Sequence, residues 1–210
     1  MPIEAVVFDM DGVLIDAKEW HYHALNRALE HFGFTISRAE HLSTFDGLPT
    51  SKKLEMLSQE KGLPRGLHRF LNELKQIYTV EQVHLNCRPI FVHEYTLSNL
   101  KAQGYKLGLA SNSIRSTVQL MMDKSNLSNY LDVMLSNQDV SKPKPHPDIY
   151  LRAAEMLNVP PANCLVVEDN PNGIKAAEDA GCPLLVVHSV FDVQLDRVVS
   201  AIRREEERIS

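Results

Sequence analysis

The chain lacks the features that mark several functional classes. Its three cysteines, Cys87, Cys164 and Cys182, are odd in number, far apart and without C-x-x-C spacing. That excludes a disulfide framework and a zinc ribbon and makes a reducing compartment, the cytoplasm, the expected location. Basic residues do not prevail: 22 Lys+Arg stand against 27 Asp+Glu, a formal charge of −5, so a nucleic acid would meet net repulsion and is not expected as a partner. No apolar run approaches the roughly 20 residues that span a bilayer, and no basic region precedes an apolar one at the N-terminus. Neither a membrane anchor nor a targeting segment is therefore expected. Repeats and low-complexity tracts are absent, and the one charge run, residues 203–208, reads as a solvated terminal helix. What remains is ordinary globular usage, with 44% hydrophobic and 23% charged residues in 210, enough for one domain or a domain with a modest insert.

Short apolar runs bounded by turns and followed by helix-like spacing indicate buried parallel strands joined by crossover helices, an α/β fold. The expected strands are Ile3–Phe8, Lys106–Ala110, Val133–Ser136, Cys164–Val167 and Leu184–Val187. Between them Ser113–Asp123, Asp148–Asn158 and Asn172–Ala180 carry helical spacing, and Gly181 with Pro183 supplies a stop. The stretch from Asp16 to His84 differs: Leu25, Leu29 and Phe32, then Leu54 and Leu57, then Leu67, Phe70, Leu74 and Ile77 recur at helical spacings with no strand among them. This predicts a small all-helical domain inserted after the first strand, residues 16–85, with residues 1–15 and 86–210 forming the α/β core.

Ligands of open α/β sheets bind beyond the carboxyl ends of the strands. Three expected strands end there in reactive side chains: Asp9-Met10-Asp11-Gly12, Ser111-Asn112-Ser113 and Glu168-Asp169-Asn170. Taken singly, each serves equally well as a turn or a helix cap. In one layer, four carboxylates would repel one another and raise one another's pKa, so the arrangement calls for a cation, and hard oxygen ligands suit Mg²⁺. Asp9 and Asp11, two apart in extended chain, can face the same way, one attacking phosphorus while the other handles a proton. The Pro-rich segment Ser141–Asp148 can aim a lysine at the same place, and Ser111 adds hydrogen bonds without charge.

Asp9-Met10-Asp11-Gly12-Val13, Ser111-Asn112, Lys144-Pro145 and Glu168-Asp169-Asn170 resemble, in order and content, the four motifs of the haloacid dehalogenase superfamily of phosphohydrolases. The helical insert is similar to the C1-type cap of its β-phosphoglucomutase-like and phosphoglycolate phosphatase-like branch. The resemblance implies a Rossmann-like core with Asp9 as nucleophile and Mg²⁺ ligand. Asp11 would be general acid/base and bind metal through its carbonyl, and Ser111 and Lys144 would hold the phosphoryl group. Asp169 would bind Mg²⁺ directly, Glu168 directly or through water, and Asn112 would line the phosphate pocket. Lys144 is preferred to Lys142 because Lys144-Pro145-His146-Pro147-Asp148 matches the family's Lys-Pro-x-Pro-Asp pattern.

In the insert, Phe45-Asp46-Gly47-Leu48-Pro49-Thr50 resembles the cap's specificity loop, with Gly47 at the family's glycine, and His21 matches a position that contacts substrate or the general acid in the mutases. His21, Gly47 and Thr50 are thus the expected cap contacts. Thr50 and Ile114 stand where the mutase subgroup carries arginine and lysine. The expectation is a monomeric phosphatase of a small phosphomonoester such as a sugar phosphate, with a β-phosphoglucomutase-like mutase as the alternative. Of other classes, a phosphoaspartate switch fits poorly, since receivers carry their acidic pair before the phosphorylated aspartate. A non-catalytic binding module is disfavoured because no required residue is missing.

Overall fold

A computed structural model describes residues 2–209. The chain divides into two compact units, one ending at Asp16 and resuming at Arg88, the other formed by Ala17–Cys87. The first unit opens with β1 (Ala5–Phe8); the second holds α1 (Lys18–Glu30), α2 (Arg38–Glu40), a turn of π-helix (His41–Phe45), α3 (Thr50–Lys61) and α4 (His68–Asn86). The first then resumes with α5 (Phe91–Ala102), β2 (Lys106–Ala110), α6 (Arg115–Lys124), β3 (Val133–Leu135) and α7 (Asp148–Leu157). It ends with β4 (Cys164–Glu168), α8 (Pro171–Asp179), β5 (Leu184–Val186) and α9 (Leu195–Ile209).

All strand pairs are parallel, in the order β3-β2-β1-β4-β5, so the chain is an α/β fold with a sheet flanked by helices. Every residue of β1 and β4 is buried, the continuous apolar character that a strand covered on both faces requires. Ile149, Tyr150, Ala153, Ala154 and Leu157 of α7 pack with Ala5, Val7, Ala110 and Val166 in one core. Gly108 lets that helix approach, since a Cβ there would lie 3.3 Å from both Leu157 and Val7. Strand ends differ by a residue or two from the sequence reading. Ile3 and Glu4 lie outside β1, and β4 extends to Glu168. The helix expected from Ser113 starts at Arg115, because Ile114 is extended (φ −74°, ψ 156°) and serves as N-cap.

The helical unit has its own core of Leu25, Leu29, Ile36, Phe45, Leu54, Leu57 and Leu71 among others. Asn26 fixes the chain after α1, its amide donating to Ile36 O and accepting from Ile36 N at 2.9 and 2.8 Å. Phe70 and Ile77, part of the apolar spacing read from the sequence, are exposed by 52% and 62%. The buried stripe of α4 runs instead through Leu71, Lys75, Thr79 and Val83, each four residues from the last, and two of these are polar. Thr79 is satisfied by donating to Lys75 O at 2.9 Å, and Lys75 Nζ meets His21 Nδ1 at 3.2 Å.

His41, wholly buried, has its Nε2 3.2 Å from Lys18 O. Burial, with the Lys53 ammonium adding to it and Asp46 opposing, lowers its pKa to about 4. Between an ordinary value near 6.5 and that depressed one, the unfolded chain takes up a proton that the folded chain refuses. Stability should therefore fall as pH drops through that window, by on the order of 2 kcal/mol from this group. Urea unfolding of the wild type and His41→Gln at pH 7 and 4.5 checks it: the wild type should lose more stability than the variant over that interval.

Candidate active site

The connections leave β1 toward β2 and β3 and return on its other side as β4 and β5, which puts the topological switch at the carboxyl ends of β1, β2 and β4. Asp9 follows β1, Ser111 follows β2, and Glu168 closes β4 with Asp169 next. Phe8 pairs with Val167, and Asp9 N donates to Val167 O at 3.0 Å, which carries Asp9 to the rim beside Glu168. The chain then folds back on itself: Leu14 N and Ile15 N donate to Met10 O at 3.0 and 2.9 Å. The turn is made by Gly12, whose φ of 93° disfavours any side chain.

Lys144 organises the rim. Its ammonium, only 4% exposed, donates to Asp9 Oδ1 at 2.6 Å, Glu168 Oε1 at 2.7 Å and Ala110 O at 2.9 Å. Asn112 clamps the lysine's backbone, accepting from Lys144 N at 3.0 Å and donating to Lys144 O at 3.2 Å. The residue expected to line the phosphate pocket thus ties the Pro-rich loop to the end of β2. Glu168 is the most engaged carboxylate. Oε1 accepts from Lys144 and from the Tyr150 hydroxyl at 2.8 Å, and Oε2 accepts from Asp169 N and Asn170 N at 2.9 and 3.1 Å. Asn170 caps α8 through its side chain, accepting from Asn172 N at 3.0 Å, so the acidic pair sits on a fixed strand-to-helix turn.

Asp11 lies within electrostatic reach of Asp9, and its Oδ2 accepts from Ser113 Oγ at 3.1 Å. Ser111 Oγ in turn accepts from Ser113 N at 3.0 Å. One carboxylate oxygen from each of Asp9, Glu168 and Asp169 falls within 4.8 Å of the others. At that range each pair of ionised carboxylates repels by about 3 kcal/mol in a partly screened environment. Burial first, then Glu168, Asp11 and Asp169, pushes Asp9 well above the usual carboxylate range, and Lys144 offsets this only in part. The Lys144 ammonium is itself disfavoured by burial, but Asp9 and Glu168 outweigh that and hold its pKa above the ordinary value. An all-oxygen donor set with excess negative charge fits a hard divalent cation.

The structure therefore brings Asp9, Asp11, Ser111, Asn112, Lys144, Glu168 and Asp169 to one rim of the α/β unit. His21, Gly47 and Thr50 belong to the helical unit. His21 is in α1 against Lys75, Gly47 has φ 71° in the turn before α3, and Thr50 is the first residue of α3. Ser113, read from the sequence as part of the Ser111-Asn112-Ser113 strand end, proves to be the donor to Asp11, and two contributors escaped the sequence reading: Tyr150 on Glu168, and Gly173. Tyr150 and Gly173 had no local signal, because an aromatic in α7 and a glycine in α8 read as packing.

Comparison with known proteins bears on this geometry. Residues 6–187 match the family described as haloacid dehalogenase-like hydrolase. The chain is 33% identical over 195 residues to a phosphorylated carbohydrates phosphatase of Thermotoga maritima, covering 90% of this chain and 88% of that protein. It is 30% identical over 196 residues to pyrophosphatase PpaX of Bacillus mycoides, covering 89% and 84%. Among solved structures, a β-phosphoglucomutase of Clostridium difficile superposes with a TM-score of 0.84 at 25% identity, over 96% of this chain and 98% of that one.

Gly173 provides a test of the rim. A Cβ there would sit 1.5 Å from Glu168 Oε1, so Gly173→Ala must expel the carboxylate from its place. Alanine in a helix ordinarily gains about 1 kcal/mol over glycine, whereas breaking a buried charge pair costs roughly 3–5. The variant should be less stable by about 2–4 kcal/mol in urea unfolding; an unchanged or raised midpoint would contradict the packing described.

Proposed function

Because the chain belongs to the haloacid dehalogenase-like hydrolases, we propose that it is a Mg²⁺-dependent phosphatase that hydrolyses a small phosphomonoester, such as a sugar phosphate, through a phosphorylated Asp9. Its enzyme class is that of a phosphoric monoester hydrolase. The observation that carries the finer reading is the Lys144 ammonium seated 2.6 Å from Asp9 Oδ1 at the edge of an all-carboxylate cluster. Asp9, Asp169 and the Asp11 carbonyl would hold Mg²⁺. Glu168, whose four acceptor directions are taken by protein donors, would contribute its charge beside them. The ion supplies charge neutralisation and orientation for the phosphoryl oxygens.

In the first step an Asp9 carboxylate oxygen attacks phosphorus and the bond from phosphorus to the leaving oxygen breaks, that oxygen taking the proton of the Asp11 carboxyl. Ser111 Oγ and Lys144 Nζ hold the phosphoryl oxygens. In the second, Asp11 accepts a proton from water as the water attacks the aspartyl phosphate, releasing inorganic phosphate and restoring the Asp9 carboxylate. Ser113 keeps the Asp11 carboxyl oriented between the two steps. In the helical unit, His21, Gly47 and Thr50 are the candidates for substrate specificity that the family resemblance supports.

One observation favours a phosphosugar mutase as second reading: the likeness to a solved β-phosphoglucomutase extends over nearly all of both chains. Against it stand Thr50 and Ile114, which leave the subgroup's two cationic positions neutral. A phosphate-release screen over sugar phosphates, phosphoglycolate and nucleoside monophosphates, with and without Mg²⁺ and beside an isomerisation assay, separates the two. Release should require Mg²⁺ and should fall by more than about 10³-fold in Asp9→Asn with the fold intact. Full activity in that variant would refute the nucleophile. Asp11→Asn should slow turnover far more than it weakens phosphate binding, and equal losses would count against its role.

A further inference from the structure

Tyr150 lies six residues beyond Lys144, inside α7, fully buried in the core beneath the sheet. Its hydroxyl donates to Glu168 Oε1 at 2.8 Å, the oxygen that also accepts from Lys144, and its ring centre lies 4.7 Å from Lys144 Nζ. We propose that Tyr150 is a positioning residue for phosphoryl transfer, its hydroxyl sharing Glu168 with Lys144 so that the ammonium stays on Asp9. The proposal rests on the phosphatase reading for its catalytic consequence but not for its geometry.

The ammonium has three N–H groups, and Asp9, Glu168 and Ala110 take all of them. Glu168 has two oxygens with two acceptor directions each, and Lys144, Tyr150 and two backbone amides fill them. Without the hydroxyl, Glu168 Oε1 is left with Lys144 as its only donor in a buried place. The pair then tightens at the expense of Asp9, because an under-satisfied buried carboxylate draws its remaining partner. Gly173 leaves the carboxylate its room, since a Cβ there would lie 1.5 Å from Glu168 Oε1.

This placement matters most in the transition state. As Asp9 bonds to phosphorus, its charge passes to the phosphoryl oxygens, and Lys144 must already be on that side to follow it. Loss of the hydroxyl should therefore lower kcat more than it raises KM. A tyrosine serving only the core would behave differently, because phenylalanine retains the ring and removes a polar atom from an apolar surrounding.

The test is Y150F in the full chain, with the fold followed by urea unfolding and two further readouts. In metal-free protein, the ¹⁵Nζ ammonium resonance of Lys144, identified by its loss in Lys144→Met, should shift and exchange faster with solvent in Y150F. On the best phosphomonoester from the screen, kcat should fall about tenfold, the worth of one hydrogen bond to a charged group, with KM within about twofold. An unmoved ammonium resonance, or turnover within about twofold of wild type, would overturn the proposal, as would a Y150F chain that does not fold. If the wild type hydrolysed no phosphomonoester, the phosphatase reading would fail while the resonance still decided where Tyr150 holds Lys144.

Discussion

A single buried ammonium carries the charge balance of the α/β unit. Lys144 is the cation to which both Asp9 and Glu168 are hydrogen-bonded, and it stands in a region where any unmatched charge is costly. Two strands end in carboxylates on its account, and a third offers it a carbonyl from Ala110. The surroundings are explicable as provisions for that one group: Asn112 grips its backbone, Tyr150 shares its acceptor, and Gly173 leaves the acceptor room. Even so, one positive charge does not balance the acidic residues gathered there, and burial first, then those neighbours, raises the pKa of Asp9. An all-oxygen set of this charge would suit a hard divalent cation.

The fold was legible because its signals are local. Four or five consecutive apolar residues with a turn behind them mark β1, β2 and β4, since strands buried on both faces leave no alternation to interpret. Their limits were less legible. Glu168 reads as the first residue of a loop, yet it completes β4, because its side chain is satisfied by partners 18 and 24 residues earlier in the chain. In α4 the sequence favours a stripe through Phe70 and Ile77, the larger apolar residues, whereas the buried one passes through Lys75 and Thr79. Polar groups can occupy that stripe because each finds a hydrogen bond, information that no spacing rule contains.

The site follows the same division. Asp9, Ser111 and the Glu168-Asp169 pair announce themselves by standing directly after apolar runs, and Lys144 by its place in a Pro-rich loop. What the sequence withholds is who holds whom. Asn112 looks like a pocket residue and acts as a clamp, and Glu168 looks like a metal ligand and has both oxygens engaged by protein donors. The hydroxyl of Tyr150 is hidden within a helix whose pattern is otherwise that of packing.

The pairing of β1 with β4 has a consequence for how such a site can be assembled at all. Phe8 lies opposite Val167, so the next position along brings two acids level with each other. Because neighbours along a strand alternate between faces, sliding β4 by one step would exchange Glu168 for Val167 or Asp169 and turn the wrong side chain toward the lysine. Misregistered chains would thus strand an ion in hydrocarbon rather than merely lose activity. The charges at the rim would therefore also penalise misaligned pairing of the two strands that display them.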